Sequence, residues 1–284
     1  MFKLPRRPRP PKIPLAPPGS FALHNYFSAL GYLALLLGSC IVVLPRSTDY
    51  FYPGGHHSQS TSSDRPEHPW LTPITAHPAG TAAWCAAGVA ITMMWWGAKM
   101  ARWWGTPETF GERSRDAILA TAGTAILLLN AITLLGVPVS HILESALLSL
   151  TLALLTAWPI VYVLGIPSLY DDGIVARWRL TRLVCATDAH DSKERALAFP
   201  LAGTLIGAWV GAIPLALDWD RPWQSWPLTP LVGSLVGFVA GGYWAFIKSA
   251  LTALHKDIAD EQAAEAAAAD VAKAPARKRK NKTK

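Results

Sequence analysis

The segment Asp218–Pro227, here called the ribbon, holds the densest group of residues that could do chemistry. Asp218 and Asp220 stand beside Arg221, and carboxylates next to a guanidinium form charge-assisted hydrogen bonds or a compact network. Together with His141, the same charges would suit a lipid phosphotransferase that acts alone. An enzymatic site at this segment therefore stays open at the level of the sequence.

The tryptophans and prolines of the ribbon favour recognition instead. Tryptophan rings anchor a segment at the level of the lipid head groups, and prolines restrict its backbone, which together give a rigid, partly charged surface. Such a surface suits a protein partner or a lipid, and a well-anchored turn between two helices is the simpler alternative. The candidate partner- or lipid-binding residues are Asp218, Trp219, Asp220, Arg221, Pro222, Trp223, Gln224 and Trp226.

The stretch 45–78 is the other place where ligands for a metal ion accumulate. Its candidates are His56, His57, His68 and His77, with Asp49, Asp64 and Glu67. A fixed metal site needs further side chains that hold its ligands, whereas the Gly, Ser, Thr and Gln of this stretch are typical of a flexible, solvated loop. The chain has no glycine-rich phosphate loop, Cys-x-x-Cys pair or nucleophile elbow. We therefore predict no metal, no cofactor and no catalytic residue in this chain.

Long apolar runs must position these residues. The chain of 284 residues is 51% hydrophobic and only 16% charged, with a mean hydropathy of +0.24. A helix needs about 20 apolar residues to cross a bilayer, and the runs lack the alternation of barrel strands. The sequence predicts an all-α, polytopic membrane protein with about six transmembrane helices. The predicted spans are residues 27–44, 79–98, 117–137, 142–166, 197–217 and 228–247.

The distribution of basic residues predicts the orientation of these spans. All but three of the 26 lysines and arginines fall in the two tails or in alternate connections; Arg46, Arg65 and Arg221 are the exceptions. Because such residues stay in the cytosol when they flank a span, both termini are expected to be cytosolic. The ribbon and the loop 45–78 are then luminal. We interpret the net charge of +7 as this orienting charge, and not as a nucleic-acid surface.

The predicted domain organisation follows from the same pattern. A basic, Pro-rich cytosolic tail of residues 1–26 precedes the membrane domain, residues 27–254, and an Ala-rich, then basic, cytosolic tail covers residues 255–284. Lys280 and Lys282 stand fifth and third from the end of the chain, as in the Lys-x-Lys-x-x signal that retrieves membrane proteins to the endoplasmic reticulum. The tail predicts residence in the endoplasmic reticulum membrane.

Few ionisable groups lie within the predicted spans. Glu144, three residues after His141, is the clearest, with Asn130 as a polar companion. An ion pair at the membrane surface is the simple interpretation of Glu144, and contact with a lipid head group is the alternative. Because transporters place ionisable groups along the substrate pathway, this scarcity argues against a transporter or scramblase without excluding one.

Glycines repeat at intervals of four in the last two predicted spans. This spacing places each set on one face of its helix, where small residues allow two helix backbones to approach closely in a membrane. The pattern predicts a tight helical hairpin, or two faces that contact a partner chain. The candidate packing residues are Gly203, Gly207, Gly211, Gly233, Gly237 and Gly241.

The run Gly207–Pro214 (Gly-Ala-Trp-Val-Gly-Ala-Ile-Pro), followed by the ribbon, resembles the PIG-F family of glycosylphosphatidylinositol (GPI) anchor biosynthesis proteins. The specific likeness covers residues 190–242. It implies a protein of the endoplasmic reticulum without catalytic residues of its own. Family members bind and stabilise the PIG-O-like and PIG-G-like transferases that add ethanolamine phosphate to mannoses of the GPI precursor. The zinc-dependent catalytic domain belongs to those partners.

Overall fold

The computed structural model describes residues 23–47, 68–105, 110–166, 181 and 191–280. These residues form helices and turns and no strand, which confirms the all-α class. The six long helices are α1 (Leu23–Val42), α2 (Pro78–Trp104), α3 (Phe110–Leu134), α4 (Ile142–Leu164), α5 (Ser192–Ala212) and α6 (Leu228–Lys280).

Five of these helices, all except α2, are long and apolar enough to cross a membrane. Helix α2 lies where the span 79–98 was predicted, but its glycines, threonines and tryptophans lower its mean hydropathy. The polytopic membrane class is therefore confirmed. The count of six spans and the cytosolic position of both termini stay predictions.

Local signals explain where several helices begin and end. Helix α2 starts with Pro78, a residue suited to the first helical turn because it lacks an N–H group. It stops at Gly105, whose left-handed φ of 67° lets its N–H bond back to the carbonyls of Ala101 and Arg102. Pro159 in α4 and Pro200 in α5 lie inside continuous helices, as expected for prolines in membrane spans.

Helix α4 lies at the centre of the bundle, in contact with α2, α3, α5 and α6. Helix α1 packs against α2 and α6, while α5 packs mainly along α6. At one end of the core, the ring of Tyr26 lies 6.1 Å from that of Trp96 and 5.8 Å from that of Trp103. This packing fixes α1 and α2 beside the α5–α6 hairpin.

Helix α6 continues far beyond the predicted span 228–247, to a length of 53 residues. From Leu251 to Ala268 its side chains are exposed, so this part extends away from the bundle. The helix ends at Lys280. Outside the described residues lie the basic stretch 1–22, the loop residues 48–67, residues 106–109, most of 167–190, and Lys282.

Candidate partner interface

Helices α5 and α6 form an antiparallel hairpin whose backbones touch along the predicted glycines. Gly203 lies against Gly237 and Gly241, and Gly207 lies against Gly233 and Gly237. A Cβ atom built on Gly207 would overlap the carbonyl oxygen of Gly233 and lie 2.9 Å from the Cα of Gly237. Because the obstacles are backbone atoms, no side-chain movement would relieve them.

We call this line of facing glycines between α5 and α6 the glycine seam. At its two ends, glycines face residues other than glycine. At the end nearer the ribbon, Gly211 faces the backbone of Thr229 and Pro230, and at the opposite end Gly241 faces Phe199 and Pro200. Each step of four residues along α5 is thus matched by a step of four back along α6. The spacing of the glycines fixes the register of the hairpin.

The opposite end of α5 is tied to α6 by a charged residue. Arg195 is buried and donates a hydrogen bond from Nε to the hydroxyl of Ser249, over 3.0 Å. Its neighbour Glu194 is also buried. The sequence indicated Arg195 only as one of many orienting charges, and nothing in its spacing pointed to this contact.

Gln224 organises the ribbon at the closed end of the hairpin. Its Nε2 donates to the carbonyls of Pro214, over 2.7 Å, and Leu217, over 2.8 Å. Its Oε1 accepts the N–H of Arg221 at 2.9 Å. These bonds connect the end of α5 to the short helical turn Pro222–Gln224, and so hold the ribbon in one shape.

Trp226 connects the ribbon to the centre of the bundle. Its indole N–H donates to the hydroxyl of Ser145 in α4, over 3.1 Å. Pro222 and Pro227 are buried on either side of it. Trp226, Gln224 and the two prolines therefore form an inner part of the ribbon that packs against this chain.

Asp218, Trp219 and Asp220 form the exposed tip of the ribbon. Trp219 is 54% exposed, and its ring meets that of Trp223 edge-on at 5.7 Å. Asp220 has a left-handed φ of 46°, which turns the chain sharply before Arg221. The tip thus exposes one aromatic ring and two carboxylates, while hydrogen bonds and burial hold the inner part of the ribbon in place. This arrangement is suited to binding another molecule.

Two further predicted features lie near the same end of the bundle. Glu144 lines a small cavity of about 410 Å³ together with His77 and Thr81, whereas His141 is exposed. Among the described residues, no group of three or more His, Cys, Asp or Glu side chains is arranged to hold a metal ion. His56, His57, Asp49, Asp64 and Glu67 lie outside the described residues, as does Lys282 of the predicted retrieval signal.

Sequence reasoning missed the role of Arg46, which it treated only as an exception to the charge pattern. Its guanidinium carbon lies 4.2 Å from the ring centroid of Trp70, and its Nη2 donates to the carbonyl of Trp70 over 2.8 Å. Arg46 and Trp70 stand 24 residues apart, at the two ends of a long loop. No local spacing could have paired them.

Residues 73–246 match the family described as "GPI biosynthesis protein family Pig-F". Over 129 residues the chain is 36% identical to a "Glycosylphosphatidylinositol anchor biosynthesis protein 11" of Neurospora crassa, covering 44% of this chain and 43% of that protein. A protein of the same name from Aspergillus fumigatus is 37% identical over 127 residues, 44% of this chain and 36% of the relative.

A human relative, "GPI ethanolamine phosphate transferase, stabilizing subunit", is 34% identical over 109 residues, 38% of this chain and 46% of that protein. The chain therefore spans less than half the length of each of these three relatives. No solved structure matches the chain.

Proposed function

Because this chain belongs to the PIG-F family of GPI biosynthesis proteins, we propose that it is a non-catalytic membrane subunit that binds and stabilises ethanolamine phosphate transferases. In this proposal the partners are PIG-O-like and PIG-G-like enzymes, which add ethanolamine phosphate to mannoses of the GPI precursor. The name of the human relative, a stabilizing subunit of such a transferase, supports the accessory role.

The exposed tip of the ribbon is the observation that carries the partner-binding part of the proposal. Asp218, Trp219 and Asp220 are exposed, although the residues on either side of them are fixed by hydrogen bonds and burial. A rigid tip loses little conformational entropy on binding, and aromatic residues are enriched among those that dominate binding energy. The tip therefore suits contact with the transferase or its lipid substrate at the luminal surface.

The proposed location is the endoplasmic reticulum membrane. Five apolar helices support a membrane location, and the spacing of Lys280 and Lys282 in the basic tail supports retrieval to this compartment. The pathway named by the relatives is compatible with it.

Recovery of the transferase by pull-down tests the accessory role. We expect Trp219→Ala combined with Asp220→Ala to reduce the amount of transferase that co-purifies with this chain, while the chain itself keeps its thermal stability. A control that removes carboxylates from the exposed part of α6, Asp257→Ala with Asp260→Ala, should leave recovery unchanged. Normal recovery together with normal GPI assembly in the first variant would contradict the proposal.

The same preparation separates the accessory role from the enzymatic alternative. Purified chain without a transferase is incubated with phosphatidylethanolamine and a GPI precursor, and the product is measured by mass spectrometry. We expect no transfer of ethanolamine phosphate. Transfer by the chain alone would favour a phosphotransferase site at Asp218–Arg221 and overturn the accessory role.

A further inference from the structure

An open apolar groove of about 1120 Å³ runs along the α5–α6 hairpin. The glycine seam forms its floor, while the end of α1 and the segment Trp70–Thr75 form one wall. The groove is larger than the roughly 300–1,000 Å³ of ordinary small-molecule pockets. Side chains that shape it are Ile74, Val210, Val232, Val236, Ala240 and Trp244.

The groove is elongated and follows two helices that are long and apolar enough to cross a membrane. Along α6 its lining extends from Leu228 to Trp244, which is about 24 Å at 1.5 Å per residue and covers much of the roughly 30 Å of hydrocarbon in a bilayer. An apolar groove of this length, open to the side, matches a hydrocarbon chain that lies parallel to the helices.

The guanidinium of Arg46 lies beside the end of this groove that is nearer the ribbon. It stacks on Trp70, whose side chain lines the groove. The Arg46 side chain is only half-buried, and the carbonyl of Trp70 accepts one of the five N–H donors of its guanidinium. Phosphate oxygens are strong acceptors for a guanidinium. An anionic group at this point would accept further hydrogen bonds from Arg46.

We propose that this groove binds a membrane glycerophospholipid, with an acyl chain along the α5–α6 seam and the phosphate on Arg46. The combination of a long apolar channel with a basic group at its head-group end matches the two parts of such a lipid. An apolar transmembrane helix of a partner would cover the lining, but it would need a carboxylate at its end to match Arg46. This proposal does not rest on the accessory role, because the groove and Arg46 belong to this chain alone.

Photo-cross-linking of purified chain tests the proposal. The chain is placed in maltoside micelles, which contain no phosphate, with a phosphatidylethanolamine that carries a photoactivatable acyl chain. A diacylglycerol with the same chains serves as the probe without a head group. We expect the phospholipid to label peptides of α5 and α6, and Arg46→Gln to reduce this labelling about tenfold, the effect of losing roughly one charge-assisted hydrogen bond. Labelling by the diacylglycerol should not change, which also shows that the variant is folded.

A second pair of variants tests the position of the acyl chain. Ala240→Trp places a large side chain in the groove and should reduce labelling by both probes. Ala122→Trp, at an exposed position of α3 outside the groove, is the matched control and should reduce neither.

Three results would overturn the proposal. The first is equal labelling of the original chain and Arg46→Gln by the phospholipid. The second is labelling confined to peptides outside α5, α6, the end of α1 and Trp70–Thr75, which line the groove. The third is measured with the transferase present, using a photoreactive residue in place of Val236. If this residue captures the transferase and no lipid, the groove is a protein interface. Failure of transferase pull-down, by contrast, would leave the lipid proposal intact.

Discussion

The side-chain amide of Gln224 forms hydrogen bonds with both its nitrogen and its oxygen, and these bonds hold the ribbon. Its two donors bond the carbonyls of Pro214 and Leu217, and its oxygen accepts the N–H of Arg221. Neither an acid nor a hydrophobic residue of similar size offers both donors and an acceptor. The hydrogen bonds of this one side chain therefore stabilise the connection between α5 and α6 and help to orient the tip residues.

Replacing Gln224 by Leu should destabilise the chain. Three hydrogen bonds are lost, each with a net contribution of roughly 0.5–1.5 kcal/mol, so we expect a loss of about 2 kcal/mol for this half-buried group. The melting temperature in detergent, followed by tryptophan fluorescence, measures the effect. Gln262→Leu, on the exposed part of α6, is the matched control and should have no effect. An unchanged melting temperature for Gln224→Leu would mean that the ribbon is held by other contacts.

Arg113 plays a comparable role at the opposite end of the bundle. Its Nη1 donates to the carbonyls of Tyr162, over 3.0 Å, and Val163, over 3.2 Å, in the last turn of α4. These carbonyls have no partner within the helix, and a cation at a helix C-terminus also interacts favourably with the helix dipole.

We therefore expect Arg113→Ala to lower the free energy of unfolding by about 1–3 kcal/mol. Arg115 provides the comparison, because it bonds the neighbouring Asp116 and is 69% exposed. Arg115→Ala should change stability by less than about 0.5 kcal/mol. Thermal unfolding of both variants in the same detergent checks the difference, and equal destabilisation would argue against a specific role of Arg113.

At the level of elements, the glycine seam determines how closely α5 and α6 approach. Burial of apolar surface does not drive helices together in lipid, so the contact must come from close packing of backbones. Gly207 lies in the middle of this seam, between Gly233 and Gly237. The hairpin in turn supplies the base of the ribbon and the floor of the groove.

A single methyl group should be enough to disturb this packing. Gly207→Ala places a Cβ atom on the backbone of α6, and we expect a cost of about 1–3 kcal/mol or more, as for other overpacked sites. Gly123→Ala in α3 is the matched control, since nothing lies within 4 Å of the added atom. There the better helix propensity of alanine should keep or slightly raise the melting temperature. Equal behaviour of the two variants would contradict the proposed contact.

The elements were more predictable from the sequence than the contacts between them. Long apolar runs and glycines at intervals of four are local, periodic signals, so the helices and the facing glycines could be expected. Other contacts join residues that come together only in the folded chain, and no local pattern predicts them. They are the hydrogen bonds of Gln224, the stacking of Arg46 on Trp70 and the Arg195–Ser249 hydrogen bond. The Ala-rich stretch of the tail favours helix, but the predicted span ended at residue 247, because helix propensity does not by itself fix where an exposed helix ends.

At the level of the whole molecule, α6 connects the membrane bundle to the predicted retrieval signal. Lys280→Ser with Lys282→Ser should release the protein from the endoplasmic reticulum to later compartments, as observed by fluorescence microscopy. Lys278→Ser with Lys284→Ser removes the same charge and keeps the Lys-x-Lys-x-x spacing, so it should remain reticular. An unchanged distribution of the first variant would remove the argument from the tail, since other segments would then retain the protein.

The orientation of the chain is the condition on which the proposed luminal role of the ribbon depends. If basic connections stay in the cytosol, the tip of the ribbon and the exposed part of α6 must lie on opposite sides of the membrane. Cysteines at Asp218 and Ala264, both exposed positions, report the two sides. Cys40 and Cys85 are buried, and Cys185 is replaced by Ser to give a silent background.

In sealed microsomes, a membrane-impermeant maleimide should label Ala264→Cys at once and Asp218→Cys only after detergent is added. The reason is that the charge pattern assigns residue 264 to the cytosolic side and residue 218 to the lumen. Labelling of both cysteines before detergent would place the ribbon in the cytosol, away from a luminal transferase domain. A partner could then still bind the hairpin within the membrane, but the tip of the ribbon could not meet that domain.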